Sequence, residues 1–250
     1  MVEQDLRRLE ELGLNASAPP AQLMYDGWLL RLLPGKAKRA RSINAVYPSA
    51  LRLSEKLAYC EKLYRSHDLP AIFRLTPFSE PPSLDDALEH LGYEKFETTA
   101  VETARIDFAG LSPGDAEPWP LDAWVQVVGD MRASPPEHRA SHLRRLRHSP
   151  LELQAMVLRR DNEFVGAGLV IVEDDWAGLF DIVTHPQALR RGYGRQIVSG
   201  LLYAAWNRGA RQAYLQVGAD NTAARLLYRQ TGFRERYCYW YRALPSESTS

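Results

Sequence analysis

Cysteine is scarce in this chain of 250 residues, which has only Cys60 and Cys238. Neither belongs to a Cys-x-x-Cys motif or to a Cys/His cluster. Disulfide-built domains carry several cysteines, and structural zinc sites bring Cys and His ligands together at short spacings. The sequence therefore predicts buried, reduced thiols, with neither a disulfide framework nor a metal site.

Long hydrophobic runs and an excess of either charge are also absent. No segment is apolar for the about 20 residues that a membrane-spanning helix needs, and residues 1–8 do not read as a signal peptide. Lys plus Arg and Asp plus Glu number 31 each, so the formal net charge is zero. Nucleic-acid partners usually require a basic surface. These absences predict a soluble cytoplasmic protein with no membrane and no nucleic-acid partner.

The most informative segment is FDIVTHPQALRRGYGR at residues 180–195. An apolar run interrupted by Asp181 predicts a buried strand that ends near Pro186, and apolar residues with helical spacing follow the loop. Gly192 and Gly194 let the backbone approach a ligand at the helix start, where free amides and the helix dipole favour an anion. The pattern predicts a loop that binds a diphosphate.

Two glycines alone would also suit a dinucleotide fingerprint or an ordinary turn. Ile197 stands where the third glycine of the fingerprint belongs, which weakens that interpretation. A second motif, NTAARLLYRQTGF at residues 221–233, follows after one intervening strand. Together the two motifs resemble the GNAT superfamily of acyl-coenzyme A dependent N-acetyltransferases, over roughly residues 150–243.

The resemblance implies acetyl-coenzyme A as the cosubstrate. In this family the loop amides bind the pyrophosphate, the preceding strand opens to pair with the pantetheine arm, and the Asn and Tyr of the second motif lie along that arm. Leu189 stands where the family usually has Arg or Gln, and the two following arginines could supply the charge instead. The cofactor-binding residues implied are Ile182, Val183, Thr184, Leu189, Arg190, Arg191, Gly192, Tyr193, Gly194, Arg195, Asn221, Ala224 and Tyr228.

Acetyl transfer by direct attack of an amine in a ternary complex needs no nucleophilic side chain, because the rate comes mainly from positioning. Tyr228 is our candidate for the acid that protonates the leaving sulfur; the alternative is that it only packs against the cofactor. A backbone amide near Val183 would bind the developing oxyanion. Asp181 interrupts an apolar strand, so it serves either as a base or substrate contact or in a structural role.

The two halves of the sequence resemble each other. Residues 46–52 align with residues 184–190 at an offset of 138, and residues 91–93 align with residues 231–233 at an offset of 140. Two such similar offsets indicate an internal duplication. In the first copy the two loop glycines, the asparagine and the tyrosine are replaced by Ser54, Lys56, Pro81 and Leu88. We therefore expect the first half to have lost coenzyme A binding.

The predicted fold is α/β, with two tandem GNAT-like halves, each a mixed, mostly antiparallel sheet flanked by helices. A degenerate domain is expected at residues 1–108, a Pro/Gly-rich linker at 109–120, the acetyl-coenzyme A domain at 121–244 and a disordered tail at 245–250. Helices are predicted at residues 3–13, 51–66, 84–91, 121–132, 137–147, 193–207 and 221–230. Strands are predicted at residues 23–32, 40–47, 70–75, 94–106, 152–159, 163–173, 176–184, 212–217 and 234–243.

The sequence thus predicts an N-acetyltransferase whose acceptor is a primary amine of a small molecule or a protein. The alternative is a non-catalytic coenzyme A binding or regulatory module, which the departure at Leu189 favours. Asn221 and Tyr228 favour the enzyme. The last strand is rich in aromatic residues and could pair with a second copy to form a homodimer, or pack within the chain.

Overall fold

The computed structural model describes residues 3–107, 109, 111 and 114–245. Residues 246–250 of the predicted tail lie outside this part. The helices are α1 (Glu3–Ala16), α2 (Leu53–Ser66), α3 (Leu84–His90), α4 (Leu121–Met131), α5 (Pro136–Arg147), α6 (Tyr193–Asn207) and α7 (Thr222–Gln230). The strands are β1 (Gln22–Tyr25), β2 (Trp28–Arg31), β3 (Ile43–Ala45), β4 (Phe73–Leu75), β5 (Glu94–Arg105), β6 (Ala116–Pro118), β7 (Glu152–Arg160), β8 (Glu163–Glu173), β9 (Trp176–Thr184), β10 (Gln212–Gly218) and β11 (Arg234–Ala243). None of the described helices combines the length and the apolar character needed to cross a membrane.

Most of these elements were predicted, and β8, β9 and α6 match the predictions at both ends. Three predictions were wrong. The single strand 23–32 is the hairpin β1–β2, because Asp26 and Gly27 adopt positive φ angles of 43° and 82° and reverse the chain. The strand 40–47 is shortened to β3, because residues 38–40 form a 3-10 helix. The predicted linker contains β6, which pairs with β7.

The chain divides into two compact units. Unit 1 contains the described residues up to Ala100, then Gly218–Asp220, and those from Tyr237 onward. Unit 2 contains Val101–Val217 and Asn221–Arg236. The long strands β5 and β11 each contribute residues to both units, so each unit includes segments from both halves of the sequence.

In unit 1, β1, β2 and β3 form an antiparallel meander. Helix α2 then carries the chain to β4, which lies parallel to β3 and antiparallel to β11. The core includes Trp28, Phe73 and Tyr93, whose rings meet edge to face. The aromatic last strand is not an exposed edge, because Tyr237, Tyr239 and Tyr241 are all buried.

In unit 2, β6, β7, β8 and β9 are antiparallel neighbours. Helix α6 carries the chain to β10, which lies parallel to β9. A Cβ at Gly166 or Gly168 of β8 would come within 3 Å of Ile197 or Leu201 of α6, so the two glycines let this helix pack closely on the sheet. Both units thus have an antiparallel meander followed by a helix and a parallel strand, which confirms the predicted mixed α/β fold class.

The end of α3 in unit 1 and the end of α7 in unit 2 have the same hydrogen bonds. The Tyr93 amide donates to the Leu88 carbonyl in unit 1, and the Phe233 amide donates to the Tyr228 carbonyl in unit 2, both at 3.0 Å. A glycine with φ near 90° precedes each aromatic residue. The two patterns lie 140 positions apart, which supports the internal duplication.

The starts of α2 and α6 are also 140 positions apart, since Arg52 caps α2 and Gly192 caps α6. The prolines that follow the preceding strands, Pro48 and Pro186, are only 138 positions apart. Between the proline and the helix cap, unit 1 is therefore two residues shorter than unit 2. The alignment of Ser54 and Lys56 with the two glycines was wrong because the length difference falls inside the loop.

Candidate functional site

Strands β9 and β10 of unit 2 are neighbours over only part of their length. Their ladder runs from Gln212 opposite Trp176 to Leu215 opposite Leu179 and goes no further in the described residues, although β9 continues to Thr184. On its other side, β9 stays paired with β8 up to Thr184. Residues 181–184, which include the predicted Ile182 and Val183, thus have one edge without a neighbouring strand, as pairing with an extended ligand requires.

A bulge interrupts β9 where it leaves β10. The register with β8 shifts between Ala167 and Leu169, so that Asp181 and Ile182 both stand opposite Gly168. Asp181 adopts a φ of 51°, a conformation uncommon for residues other than glycine. Bulges bend a strand and re-aim its side chains, which accounts for the divergence of β9 from β10.

The Asp181 carboxylate is held by two basic side chains. Nη1 of Arg132, just after α4, donates to Oδ1 at 2.7 Å, and Nε2 of His142 on α5 lies 3.0 Å from Oδ2. Burial opposes ionisation, but His142 and the charges of Arg132 and Arg145 outweigh it and hold the pKa of Asp181 well below its ordinary value. Such a carboxylate accepts a proton poorly at neutral pH. The geometry favours the structural interpretation of Asp181.

The loop from β9 to α6 leaves its amides unused. Among the described residues, no acceptor takes a hydrogen bond from the backbone N–H groups of residues 189–194. Arg190 and Gly192 have φ angles of 61° and 80°, so the loop departs from both strand and helix geometry here. Consecutive N–H groups in such a turn, at the positive end of the α6 dipole, form an anion-binding concavity.

The side chains around this loop suit the same ligand. Arg190 and Arg191 are exposed, and their side chains form no ion pair with the described residues. Leu189 leaves 57% of its surface exposed. Arg195 points instead to α7, where it donates to the side chain of Gln230 at 2.6 Å. Arg190 and Arg191 are thus available to supply the predicted charge, whereas Arg195 contacts α7.

Gly192 and Gly194 are needed for different reasons. A Cβ at Gly192 would meet no atom within 4 Å, so its left-handed conformation is what favours glycine. A Cβ at Gly194 would lie 3.0 Å from Leu227 and 3.5 Å from the Thr184 hydroxyl. Gly194 thus brings the start of α6 close to both the end of β9 and α7. Tyr193 lies beside Arg160 of the β7–β8 hairpin, whose guanidinium is 5.6 Å from the ring centroid.

Helix α7 carries the remaining predicted residues. Asn221 caps it, with the side-chain oxygen accepting from the Ala224 amide at 3.1 Å. This bond fixes the side chain and leaves its amide nitrogen available to donate. Ala224 is half-buried on the first turn of the helix.

Tyr228, also on α7, is buried, with 7% of its surface exposed. The described residues give its hydroxyl no hydrogen-bond partner. Burial first, and then the negative charge of Glu102, raise the pKa of Tyr228 to about 12, against an opposing effect of Arg132. The phenol is therefore protonated at neutral pH, as a proton donor must be.

Four residues of this region were missed by sequence reasoning: Arg132, His142, Glu102 and Arg225. Arg132 acts on both predicted catalytic residues, because it pairs with Asp181 and its charge opposes the rise in the pKa of Tyr228. Glu102 is a buried acid of β5, and it pairs with Arg225 on α7. The signal that singled out Asp181 does not operate here, because β5 has the sequence EKFETTAVETAR and carries several other charged residues.

Comparison with known proteins finds similarity to one family. Residues 121–233 match the sequence model of the acetyltransferase (GNAT) family. The chain is 29% identical over 237 residues to YobR of Bacillus subtilis (strain 168), an uncharacterized N-acetyltransferase, with 92% of this chain and 94% of that protein covered. The ribosomal protein bS18-alanine N-acetyltransferase of Salmonella typhimurium is 36% identical over 78 residues, which cover 31% of this chain and 53% of that protein.

Solved structures agree on the fold. A GCN5-related N-acetyltransferase from Kribbella flavida has a TM-score of 0.67 at 15% identity, with 96% of this chain and 95% of that chain covered. A tandem GNAT protein from the clavulanic acid biosynthesis pathway has a TM-score of 0.61 at 16% identity, with 95% and 94% covered. These comparisons support the GNAT acetyltransferase family for this chain.

The GNAT family uses acetyl-coenzyme A, and two parts of unit 2 fit that molecule. The unpaired N–H groups of residues 189–194 suit its diphosphate, and the open edge of β9 at residues 181–184 suits the amide groups of its pantetheine arm. Within the described part of the chain, no cluster of three or more His, Cys, Asp or Glu side chains is placed to bind a metal ion.

Proposed function

We propose that this chain is an N-acetyltransferase that transfers an acetyl group from acetyl-coenzyme A to a primary amine of a small molecule or a protein. Unit 2 carries the site in this proposal. The observation that supports it most is the run of unpaired backbone N–H groups at residues 189–194, in a unit whose β9 also has an open edge. The first amides of any helix lack intrahelical partners, and here the unpaired run extends back through the loop to residue 189.

The residues of unit 2 have distinct binding roles in this proposal. Acetyl-coenzyme A, when bound, supplies a thioester whose acetyl group an amine can accept directly. The N–H groups of residues 189–194 and the dipole of α6 hold the diphosphate, and Arg190 and Arg191 add positive charge. Ile182, Val183 and Thr184 pair with the pantetheine arm along the open edge of β9.

Tyr228 is the proposed proton donor to the leaving sulfur. Its buried phenol is protonated at neutral pH, and no described residue competes for its proton. General acids of this kind typically contribute about 10²–10³-fold to the rate. Asp181 is assigned a structural role, because it holds Arg132 and His142 and fixes the bulge at which β9 opens.

Unit 1 is proposed to be a degenerate copy that binds no coenzyme A. Its own groups occupy the positions that a cofactor would need: the Asp26 carboxylate accepts from the amides of Ala50 and Leu51. The Glu80 amide donates to the carbonyl of Ala45 at the end of β3. The chain should therefore bind one acetyl-coenzyme A.

A non-catalytic coenzyme A binding module is the second candidate function. Leu189 favours it, because an exposed leucine at this position contributes no charge to a diphosphate. The two candidates differ in turnover, since a binding module would hold acetyl-coenzyme A without transferring its acetyl group.

The testing experiment combines calorimetric titration with acetyl-coenzyme A and a screen of primary amines, using the full chain. We expect micromolar binding and, with an accepted amine, release of free thiol. Tyr228→Phe should lower kcat by about 10²–10³-fold while its affinity for acetyl-coenzyme A stays within a few fold. Binding without transfer to any small amine or peptide amine would favour the binding module, and absence of binding would contradict both candidates.

A further inference from the structure

Glu102 of β5 is a buried carboxylate to which no role has been given so far. Only 4% of its surface is exposed, and Val101 beside it is fully buried. A carboxylate in such surroundings is costly unless it is paired or used. Both its partner and the group on which its charge acts lie on α7.

The partner is Arg225, whose Nε lies 3.2 Å from Oε1 of Glu102. A different nitrogen of the same guanidinium, Nη2, reaches Oε2 of Glu235 at 2.5 Å. Arg225 thus connects α7 to a carboxylate on β5 and to another on β11. Because residues three apart on a helix are neighbours, this anchor fixes the turn that carries Tyr228.

The charge of Glu102 also acts on Tyr228. Burial is the largest influence on the phenol, and Glu102 is the charged group that opposes its ionisation. Arg132, at the end of α4, acts in the opposite direction and is itself paired with Asp181. The charged groups that act on the phenol are thus Glu102 on β5 and Arg132 after α4. The guanidinium of Arg225, on α7 itself, is paired with Glu102 and Glu235.

We propose that Glu102 is a positioning residue for Tyr228: through Arg225 it anchors the turn of α7 that carries the phenol, and its fixed negative charge adds to burial in opposing ionisation of that phenol. The inference rests on the proposed function, in which Tyr228 donates a proton to the leaving sulfur. It assigns to β5, which carries none of the predicted site residues, a part in setting the pH range of the reaction.

The test follows the Tyr228 phenol directly, by NMR of protein labelled at the tyrosine ring carbon that bears the hydroxyl. The chain has 12 tyrosines, so the Tyr228 signal is assigned by its loss in Tyr228→Phe. In the unmodified protein this signal should keep its neutral position up to about pH 10, the ordinary tyrosine pKa. In Glu102→Gln the movement toward the phenolate position should begin at a lower pH than in the unmodified protein, because only the effect of burial remains.

Glu235→Gln is the matched control, because it removes the other carboxylate of Arg225 without touching a group that acts on the phenol. The Tyr228 signal of Glu235→Gln should depend on pH as it does in the unmodified protein. Equal behaviour of the unmodified protein and Glu102→Gln, or of Glu102→Gln and Glu235→Gln, would overturn the proposal.

Arg225→Gln covers the case in which Glu102→Gln fails to fold. It removes the anchor and keeps the charge of Glu102, so the phenol should stay neutral to about pH 10 while kcat falls by about tenfold at unchanged KM for acetyl-coenzyme A. An unchanged kcat would overturn the anchoring role. The NMR readout needs no turnover, so a protein that transfers no acetyl group would contradict the proposed function and still report whether Glu102 controls the phenol.

Discussion

The loop from β3 to α2 in unit 1 and the loop from β9 to α6 in unit 2 occupy the same place in the same succession of strand, loop, helix and parallel strand. In unit 2 no amide of residues 189–194 has an acceptor within the described part of the chain. In unit 1 the amides of Ala50 and Leu51 donate to the two oxygens of Asp26, at 3.0 and 2.9 Å. The first loop is also one residue shorter.

The segments before the two loops also differ in whether their backbone groups are paired. In unit 1 the Ala45 carbonyl accepts from the Glu80 amide at 3.0 Å, and the Val46 carbonyl accepts from Arg7 at 2.7 Å. In unit 2 the edge of residues 181–184 has no such partner among the described residues. We therefore propose that binding capacity depends on which backbone groups the chain leaves unpaired, in addition to the shared fold.

The largest expected effect comes from placing a carboxylate at the unit 2 loop. In unit 1 the Asp26 carboxylate already accepts from the loop amides. Asp and Asn both tolerate a left-handed φ, so Gly192→Asp and Gly192→Asn differ mainly in charge. We expect Gly192→Asp to weaken acetyl-coenzyme A binding by about 10³-fold, because like charges placed together cost several kcal/mol. Gly192→Asn should weaken acetyl-coenzyme A binding much less. Calorimetry measures both, and Arg52→Asp, at the matching position of unit 1, should leave the affinity unchanged.

The next largest effect concerns the interior of unit 1. Lys56 is completely buried, 3.4 Å from the Asp26 carboxylate and 4.1 Å from the centre of the Trp28 ring. Lys56→Ala should lower the free energy of unfolding of unit 1 by about 3 kcal/mol, and Lys56→Met by about 1 kcal/mol, because methionine keeps most of the volume. Urea denaturation followed by hydrogen exchange in each unit measures this. A tenfold loss of acetyl-coenzyme A affinity in Lys56→Met would contradict the assignment of the site to unit 2.

A smaller effect is expected at the bulge that distinguishes β9 from β3. The pKa of Asp181 is lowered in the folded protein, so its carboxylate stabilises unit 2 above the unfolded value of about 3.9, and this contribution is lost as the pH falls through the folded value. Asp181→Asn should cost about 1–3 kcal/mol at pH 7 and flatten the acid decline of stability. Urea midpoints between pH 7 and pH 3 test this. A loss of kcat as large as that of Tyr228→Phe would restore Asp181 as a base.

The smallest effect is expected at Leu189. Its side chain is exposed at the unpaired amides, so Leu189→Arg adds a cation beside the diphosphate at little structural cost. A surface charge near a helix N-terminus contributes about 0.3–1 kcal/mol, which should tighten acetyl-coenzyme A binding about two- to fivefold at low salt. Leu189→Gln serves as the uncharged control, and no difference between the two would mean that the diphosphate is not held at this loop.

Much of the fold could be predicted because hydrophobic periodicity and local breakers specify elements such as β8, β9 and α6. The failures have local causes. Asp26 and Gly27 lie inside an apolar run, and an interpretation based on hydrophobicity alone overlooked that Asp-Gly is a local signal for a two-residue hairpin. Strand β6 lies in a stretch rich in Pro and Gly and is defined by its partner β7.

The site residues likewise divide into those that local sequence patterns predict and those that they do not. The loop amides, the glycines and Tyr228 sit in contiguous motifs, so the sequence predicted them. Arg132 meets Asp181 across 49 positions of sequence, and Glu102 meets Arg225 across 123, distances over which no local pattern operates. The pairing of amides with Asp26 in unit 1 could not be predicted either, because it joins residues that lie 24 and 25 positions apart.

The stoichiometry of acetyl-coenzyme A binding to the full chain, measured by calorimetry at known active protein concentration, tests the central claim most directly. The account predicts one molecule per chain, with binding weakened by Gly192→Asp and unaffected by Arg52→Asp. Two molecules per chain, or a single molecule whose binding is insensitive to Gly192→Asp, would contradict the claim that the unpaired amides of unit 2 form the site and that unit 1 has closed its own.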